Sequence, residues 1–420
     1  MKEIRREQFL TDSARALLAL GGFGLLSNGI FQLAFAAQES EPILLHIFLR
    51  GGCDGLSFVA PLSGENRRIY EAERPTVRLE LSGDNALLPL NDSLGFHPAA
   101  KALLGLYKAK KLSVVHGFGL TANTRSHFDA QNMMDLGFAE KKISSTGWIT
   151  RFLQQKNTAS ALLPAIASSS LLPSSLLGFE RAISVADIRR LDLGGRKNLD
   201  KEQTDTLAAL YDLGNSWIHQ HGREALSSLR ILQSSSSKPI QNSKLAYPKS
   251  DIANRLATLS NLLKMDLGLS MATVDMGGWD THKYQGAGKD GSFGRQVQQL
   301  SEGIDAFLQD IESTRPDISK RLTVLVYSEF GRRLRENANR GTDHGHGGIC
   351  FALGAGVNGG KVAGKWPGLQ PEHLYERADV AVTTDYREIL SEYLGKQAKI
   401  KSTEKIFPGF KPLNELHLFS

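Results

Sequence analysis

Leu322–Tyr327 (LTVLVY) runs straight into Ser328-Glu329-Phe330-Gly331-Arg332 and then Gly341-Thr342-Asp343-His344-Gly345-His346-Gly347-Gly348. An unbroken apolar and β-branched run of this length predicts a buried strand. Carboxylates and imidazoles set among glycines just past its end predict a ligand-binding mouth, because open α/β sheets bind ligands beyond the carboxyl ends of their strands. Glycine lets the backbone approach an ion or anion closely. Asp, Glu and His supply ligands for a divalent metal such as Zn²⁺, Mn²⁺, Mg²⁺ or Ca²⁺.

Outward from this stretch, apolar runs alternate with helical periodicities. Ile43–Leu49 (ILLHIFL) predicts a strand that ends in the turn Arg50-Gly51-Gly52-Cys53-Asp54-Gly55. Strands are also expected at Leu112–His116, Ala165–Ala167, Leu269–Asp275 and Ile349–Leu353. Helices are expected over Ala99–Lys110, His127–Leu136, Trp148–Gln155, Ile252–Leu267 and Gly291–Ile311, and over Asp385–Leu394 with Thr383 or Thr384 as N-cap. The alternation predicts an α/β fold, a doubly wound and mostly parallel sheet with helices on both faces. From about 168 to 247 the pattern changes to one long amphipathic helix, Lys201–Leu232, then a serine run, Ser234–Ser237, with Pro239 and Pro248. It reads as a helical cap inserted into a single domain spanning 38–420.

Residues 1–37 read as a signal peptide. Lys2, Arg5 and Arg6 form a positive n-region, a glycine-diluted apolar stretch follows, and Ala34-Phe35-Ala36 is a cleavage signal. Arg5-Arg6 points to twin-arginine export, although two residues rather than one separate the pair from Phe9, so general secretion stays open. The reading places the mature protein in the periplasm or outside the cell, with no stable membrane anchor after cleavage. Basic residues barely outnumber acidic ones, 50 to 44. With no dense Lys/Arg tract interleaved with aromatics, this excludes a nucleic-acid partner and fits a small anionic ester or a cell-surface polymer. Cys53 and Cys350 could pair in an oxidising compartment, but two buried free thiols are preferred. There is no G-x-x-x-x-G-K-[ST] loop, and Gly354–Gly360 reads as a turn.

Four clusters follow predicted strands: Asp54; Asn123-Thr124-Arg125-Ser126-His127; Asp275 with Gly277-Gly278-Trp279-Asp280-Thr281-His282; and the opening stretch. Each has a purely structural alternative, such as a turn cap at Asp54 or an N-cap at Ser126. Loops at one edge of a sheet converge, and three of these bring Asp or His. Ser126, at a helix N-terminus beside unpaired N–H groups, is a candidate nucleophile, and Arg125 beside it can clamp a tetrahedral anion.

The motifs GGCDGLSFVAPL, TRSHFDAQNMM, GGWDTH, SEFGRR, GTDHGHGG and TTDYR resemble the family of exported bacterial proteins known as domain of unknown function 1501, from Leu44 to about Leu394. That family resembles a remote branch of the alkaline phosphatase and sulfatase superfamily. The resemblance implies an alkaline-phosphatase-like core with a metal cluster at the strand ends. It implies that Asp54 ligates one ion, that Asp280 and His282 serve the other, and that Ser126 is the nucleophile. Asp343-His344-Gly345 matches the superfamily's Asp-His-Gly in one alignment. In the other, which keeps the strand-to-motif distance, Glu329-Phe330-Gly331 holds that place and His344 is the later ligand. Phe330 cannot bind metal, so the second alignment costs one ion an imidazole unless His346 supplies it. The expectation is an exported metal-dependent hydrolase of phosphate or sulfate esters. Asp54, Asp280, His282, Glu329, His344 and His346 would be ligands, Asp343 a ligand or an orienting group, and Arg125 and Arg332 would neutralise the transferred group. The alternative is a non-catalytic exported binding or assembly protein with at most one metal.

Overall fold

The computed structural model describes residues 41–420 apart from 157, 159, 160, 162, 170, 186–199, 221, 224, 225, 228–244 and 414. The segment read as a signal peptide and the serine run with Pro239 lie outside the described residues.

A nine-stranded sheet organises the chain. Its strands are β1 (Ile43–Leu49), β5 (Leu112–Gly119), β6 (Ala165–Ser168), β7 (Ala182–Ser184), β8 (Met271–Met276), β9 (Leu322–Tyr327), β12 (Gly348–Gly354), β13 (Lys361–Ala363) and β14 (Thr384–Asp385). The order is β13-β5-β12-β9-β1-β8-β6-β7, with β14 on β5. Every pairing is parallel except those of β12, which runs antiparallel between β5 and β9. The remaining strands are β2 (Val59–Pro61), β3 (Leu88–Pro89) and β4 (Leu94–Phe96) in a small sheet, and β10 (Arg332–Glu336) with β11 (Thr342–His344) in a hairpin.

The helices are α1 (Gly55–Phe58), α2 (Gly64–Glu73), α3 (Lys101–Lys108), α4 (His127–Leu136), α5 (Trp148–Gln155), α6 (Asp200–Asp212), α7 (Asp251–Lys264), α8 (Ser292–Thr314), α9 (Pro316–Ser319) and α10 (Tyr386–Lys396). β1 is buried along its whole length, which is why it shows no alternation. Ile43, Leu45, Ile47 and Leu49 face the core made with α3, α7 and α8, where Leu256, Leu300, Ile304 and Phe307 are buried. Leu44 and Phe48 face the opposite core, with α4, α5 and α10. Helices therefore cover both faces, as the alternation predicts.

A buried ion pair ties α7 to α8. Lys264 Nζ lies 2.7 Å from Asp310 Oδ1, while Ser260 Oγ and Tyr247 Oη donate to Oδ2 at 2.5 and 2.9 Å. Removing one partner strands the other charge in the core. Asp310→Ala is expected to lower unfolding free energy by ~3–5 kcal/mol in urea denaturation. A loss below about 1 kcal/mol would show that water relieves Lys264.

Three local expectations are corrected. The helix read as Lys201–Leu232 stops at Asp212, and helical residues resume at 217, because Gly214-Asn215-Ser216 combines a breaker with residues that favour caps. Part of the segment assigned to the insertion, Ala182–Ser184, pairs with β6 at the sheet edge. The N-cap of α10 is Asp385, whose carboxylate accepts from Arg387 N, not Thr383 or Thr384. No helix among the described residues is long and apolar enough to cross a membrane.

Candidate metal centre

The carboxyl ends of β1, β8 and β9 lie side by side, and their loops meet there. Gly51 is required by this contact: its φ is +123°, and a Cβ would sit 2.6 Å from Asp280 N. The β10–β11 hairpin pairs Arg332 with His344 and brings that imidazole to the same place.

Three imidazoles converge on one carboxylate. His282 Nε2 lies 3.0 Å from Asp280 Oδ1, His344 Nε2 3.1 Å and His127 Nε2 3.5 Å. The Nε2 atoms of His282 and His344 are 3.0 Å apart. Each ring is held from behind through Nδ1. His127 Nδ1 donates to Glu329 Oε1 at 2.7 Å, His282 Nδ1 to Asp343 Oδ1 at 3.0 Å, and His344 Nδ1 to the Arg125 carbonyl at 2.8 Å. Ionised carboxylates and carbonyls only accept, so Nδ1 carries the proton on each neutral ring and the Nε2 lone pair points inward. Two such lone pairs 3.0 Å apart repel unless a proton or a metal ion lies between them. Ligands about 2.0–2.1 Å from a tetrahedral ion stand about 3.3 Å apart, close to the 3.0–3.5 Å separations here. His127 Nε2 is buried and has no hydrogen-bond partner. The ligand atoms of His127, Asp280 and His344 all lie within 4.8 Å of one another. These three residues offer a donor set that fits a divalent metal ion, with His282 at the edge of the group, against Asp280 and His344.

Electrostatics favours the charged carboxylate. Burial raises the Asp280 pKa, but Arg332 and His344 outweigh it and hold the group down at about 2. Burial lowers His344, which keeps that ring neutral. Glu329 raises His127 through their hydrogen bond.

The expected site residues separate into those that meet and those that do not. Asp280, His282 and His344 face the centre. Glu329 stands behind His127 rather than among the inward-facing atoms: fully buried, it also accepts from Gln131 Nε2 at 2.7 Å and Gly51 N at 3.0 Å. Asp343 stands behind His282 and is held in the charged form by Asn337 and His282. Asp54 is turned inward to Arg74, at 2.7 Å. His346 stacks on Tyr375 with ring centroids 3.9 Å apart. Arg332 is buried and donates to the carbonyls of Gly51, Gly52, Trp279 and Thr342, so each of its three nitrogens is committed to a protein acceptor. Arg125 Nη2 is shared by Glu376 at 2.7 Å and Asp379 at 2.6 Å. Ser126 caps α4, its hydroxyl accepting from Asp129 N, and stays partly exposed. Cys53 and Cys350 are buried and free.

His127 is the residue sequence reasoning passed over. It supplies the imidazole that Phe330 cannot, and the Phe330 ring stacks on it at 4.9 Å. One signal was available: His127 and Gln131, four apart, share a helix face, and both reach Glu329.

Behind the centre, Arg50 lies 3.1 Å from Asp275 and 3.9 Å from Asp135. Burial pushes Asp135 up to about 6, with Arg50 pulling the other way. A raised carboxyl pKa gives stability that is present below the unfolded value near 4 and lost as pH rises through about 6. Between pH 4 and 7.5 the wild type should lose on the order of 2–3 kcal/mol relative to Asp135→Asn. Urea midpoints of both proteins across that range test this; parallel profiles would refute it.

Fold and site together define an α/β protein with a three-histidine, one-aspartate constellation at the carboxyl edge of its sheet. The chain belongs to the family described as Protein of unknown function (DUF1501), whose model matches residues 188–407, more than half of the 420-residue chain. No curated protein matches. Among solved structures, the lipoteichoic acid synthase LtaP from Listeria monocytogenes is 10% identical, with 81% of this chain and 71% of that chain covered and a TM-score of 0.32. That likeness is too loose to define a common topology.

Proposed function

We propose that this chain is an exported, metal-dependent hydrolase of phosphate or sulfate esters, with a centre formed by His127, Asp280, His282 and His344. The observation that carries the reading is the convergence of three tethered imidazoles on Asp280, with Nε2–Oδ1 separations of 3.0–3.5 Å. A nitrogen-rich set with one carboxylate suits Zn²⁺ better than Mg²⁺ or Ca²⁺, which prefer all-oxygen shells. A divalent ion there supplies Lewis-acid polarisation of a phosphoryl or sulfuryl oxygen.

The chain's own groups supply the rest. Ser126 opens α4 directly before His127, and its partly exposed hydroxyl is the candidate nucleophile. The unpaired N–H groups of the first turn of α4 favour an anionic group beside it. Asp280 and His282 are the open side, their side chains 47% and 37% exposed, so an ester can approach there. The substrate class is a small anionic ester or an ester carried on a cell-surface polymer.

The alternative is an exported binding or assembly protein that keeps the fold and at most one ion. It is favoured by the commitment of Arg125 and Arg332 to protein partners, which leaves the transferred group without either expected guanidinium. Metal analysis of purified protein, with aryl phosphate and aryl sulfate hydrolysis by wild type and Ser126→Ala, separates the two. Bound metal with turnover that falls at least hundredfold in the variant supports the hydrolase. Bound metal without turnover supports the alternative, and no divalent metal refutes the hydrolase.

A further inference from the structure

We infer that the centre holds one ion, and that buried protein donors, among them the Arg74 guanidinium on Asp54, occupy the carboxylates a second ion would need. This inference rests on the metal reading above. The two-ion pattern implied by the family resemblance requires Asp54 as a ligand, and in one alignment Glu329 as well. The structure leaves neither carboxylate free.

Asp54 is wholly buried. Arg74 grips it with both arms of its fork: Nη1 donates to Oδ2 at 2.7 Å and Nη2 to Oδ1 at 3.0 Å. Ser57 Oγ donates to Oδ2 at 2.8 Å, Ser57 N to Oδ1 at 3.3 Å, and Gln285 Nε2 to Oδ2 at 2.8 Å. Arg74 spends its other N–H groups on Leu334 O and Arg333 O, both at 2.8 Å, and on Ser57 Oγ at 2.9 Å. The guanidinium therefore has an acceptor for each of its five protons, and the carboxylate is saturated with donors. A metal ion needs an oxygen lone pair at about 2.0–2.2 Å. Inserting one would break the fork and leave Arg74 buried without a counter-charge.

Glu329 is engaged without a guanidinium. Oε1 accepts from His127, Gln131 and Gly51, and Oε2 lies 2.7 Å from Ser328 Oγ. Asp280 carries its own guanidinium, Arg332 Nη2 at 2.5 Å from Oδ1. Each carboxylate of the two-ion pattern thus has a fixed protein partner, and only Asp280 also faces the imidazoles.

The Asp54–Arg74 unit reaches the centre through two side chains. Gln285 belongs to the loop that carries His282, and Thr342 to the strand that carries His344. Thr342 Oγ1 donates to Gln285 Oε1 at 3.0 Å, and Gln285 Nε2 reaches Asp54. Asp54 and Arg74 are therefore positioning residues for the single site, not ligands of a second one.

The test is metal stoichiometry. The full chain is stripped with a chelator and titrated with Zn²⁺ against a chromophoric competitor, with elemental analysis of the product. One tight equivalent is expected. Asp54→Asn, which keeps the shape, should still bind one equivalent with Kd within about tenfold, the small end of what replacing a group that orients a ligand costs. Two tight equivalents in wild type, one of them lost in Asp54→Asn, would overturn the one-ion inference and leave the metal reading standing. No Zn²⁺ bound by wild type would overturn both. If Asp54→Asn does not fold, X-ray absorption of the loaded wild type decides: metal–metal scattering near 3.5–4 Å would mark a second ion, and its absence supports one.

Discussion

Asp280→Ala should empty the centre, lowering Zn²⁺ affinity at least a hundredfold. Replacing groups that merely orient ligands already costs 10–100-fold, and Asp280 is the carboxylate that all three Nε2 atoms face. Without it an ion would meet three neutral nitrogens and no compensating charge. The fold should survive. The Asp280 side chain is 47% exposed, and Arg332 keeps four backbone acceptors when it is gone. Elemental analysis after gel filtration reads the loss, and a urea midpoint confirms that the variant is folded. A folded Asp280→Ala with wild-type metal content would remove this residue from the ligand set.

Arg332→Lys should behave as a severe stability mutation, not as a mild change in substrate binding. The guanidinium bridges the loops after β1 and β8 and the β11 strand, through Gly51 O at 2.5 Å, Gly52 O at 2.6 Å, Trp279 O at 3.2 Å and Thr342 O at 2.6 Å. A lysine ammonium has three donors at one point and cannot span these acceptors. Stranded carbonyls and a misplaced charge should cost ~3–5 kcal/mol of unfolding free energy, the scale of a broken buried ion pair. Metal affinity should fall as well, because Asp280 loses its anchor. An arginine that neutralised substrate would instead leave the urea midpoint unchanged and raise KM.

The scaffold was the legible part of the sequence. Ile43–Leu49, Leu322–Tyr327, His127–Leu136 and Trp148–Gln155 form the elements their periodicity predicts. Buried parallel strands are continuously apolar, and that signal is local. The β10–β11 hairpin was hidden because its first strand reads Arg-Arg-Leu-Arg-Glu, a charged run whose alternating burial emerges only once Arg332 finds its carbonyl acceptors. The candidate ligands were partly legible. Asp280, His282 and His344 follow strands and point inward. Asp54, Glu329 and His346 have the same setting, but their fate depends on Arg74, His127 and Tyr375, which belong to other elements of the chain. Residue type and spacing can nominate a carboxylate. They cannot say whether an arginine reaches it first.

The central place of β1 governs when the molecule can become itself. The first strand of the described chain pairs with β8 and β9, more than 200 residues later. Such pairing charges a large loop-closure entropy before any contact repays it, which makes assembly slow. A nascent chain must hold Ile43–Leu49 unpaired until Met271–Met276 has been made, and one of its edges open until Leu322–Tyr327 follows. The three imidazoles come from positions 127, 282 and 344, so an ion-binding centre exists only after that closure. Under the proposed function, the compartment in which the sheet closes is the compartment whose metal supply chooses the ion.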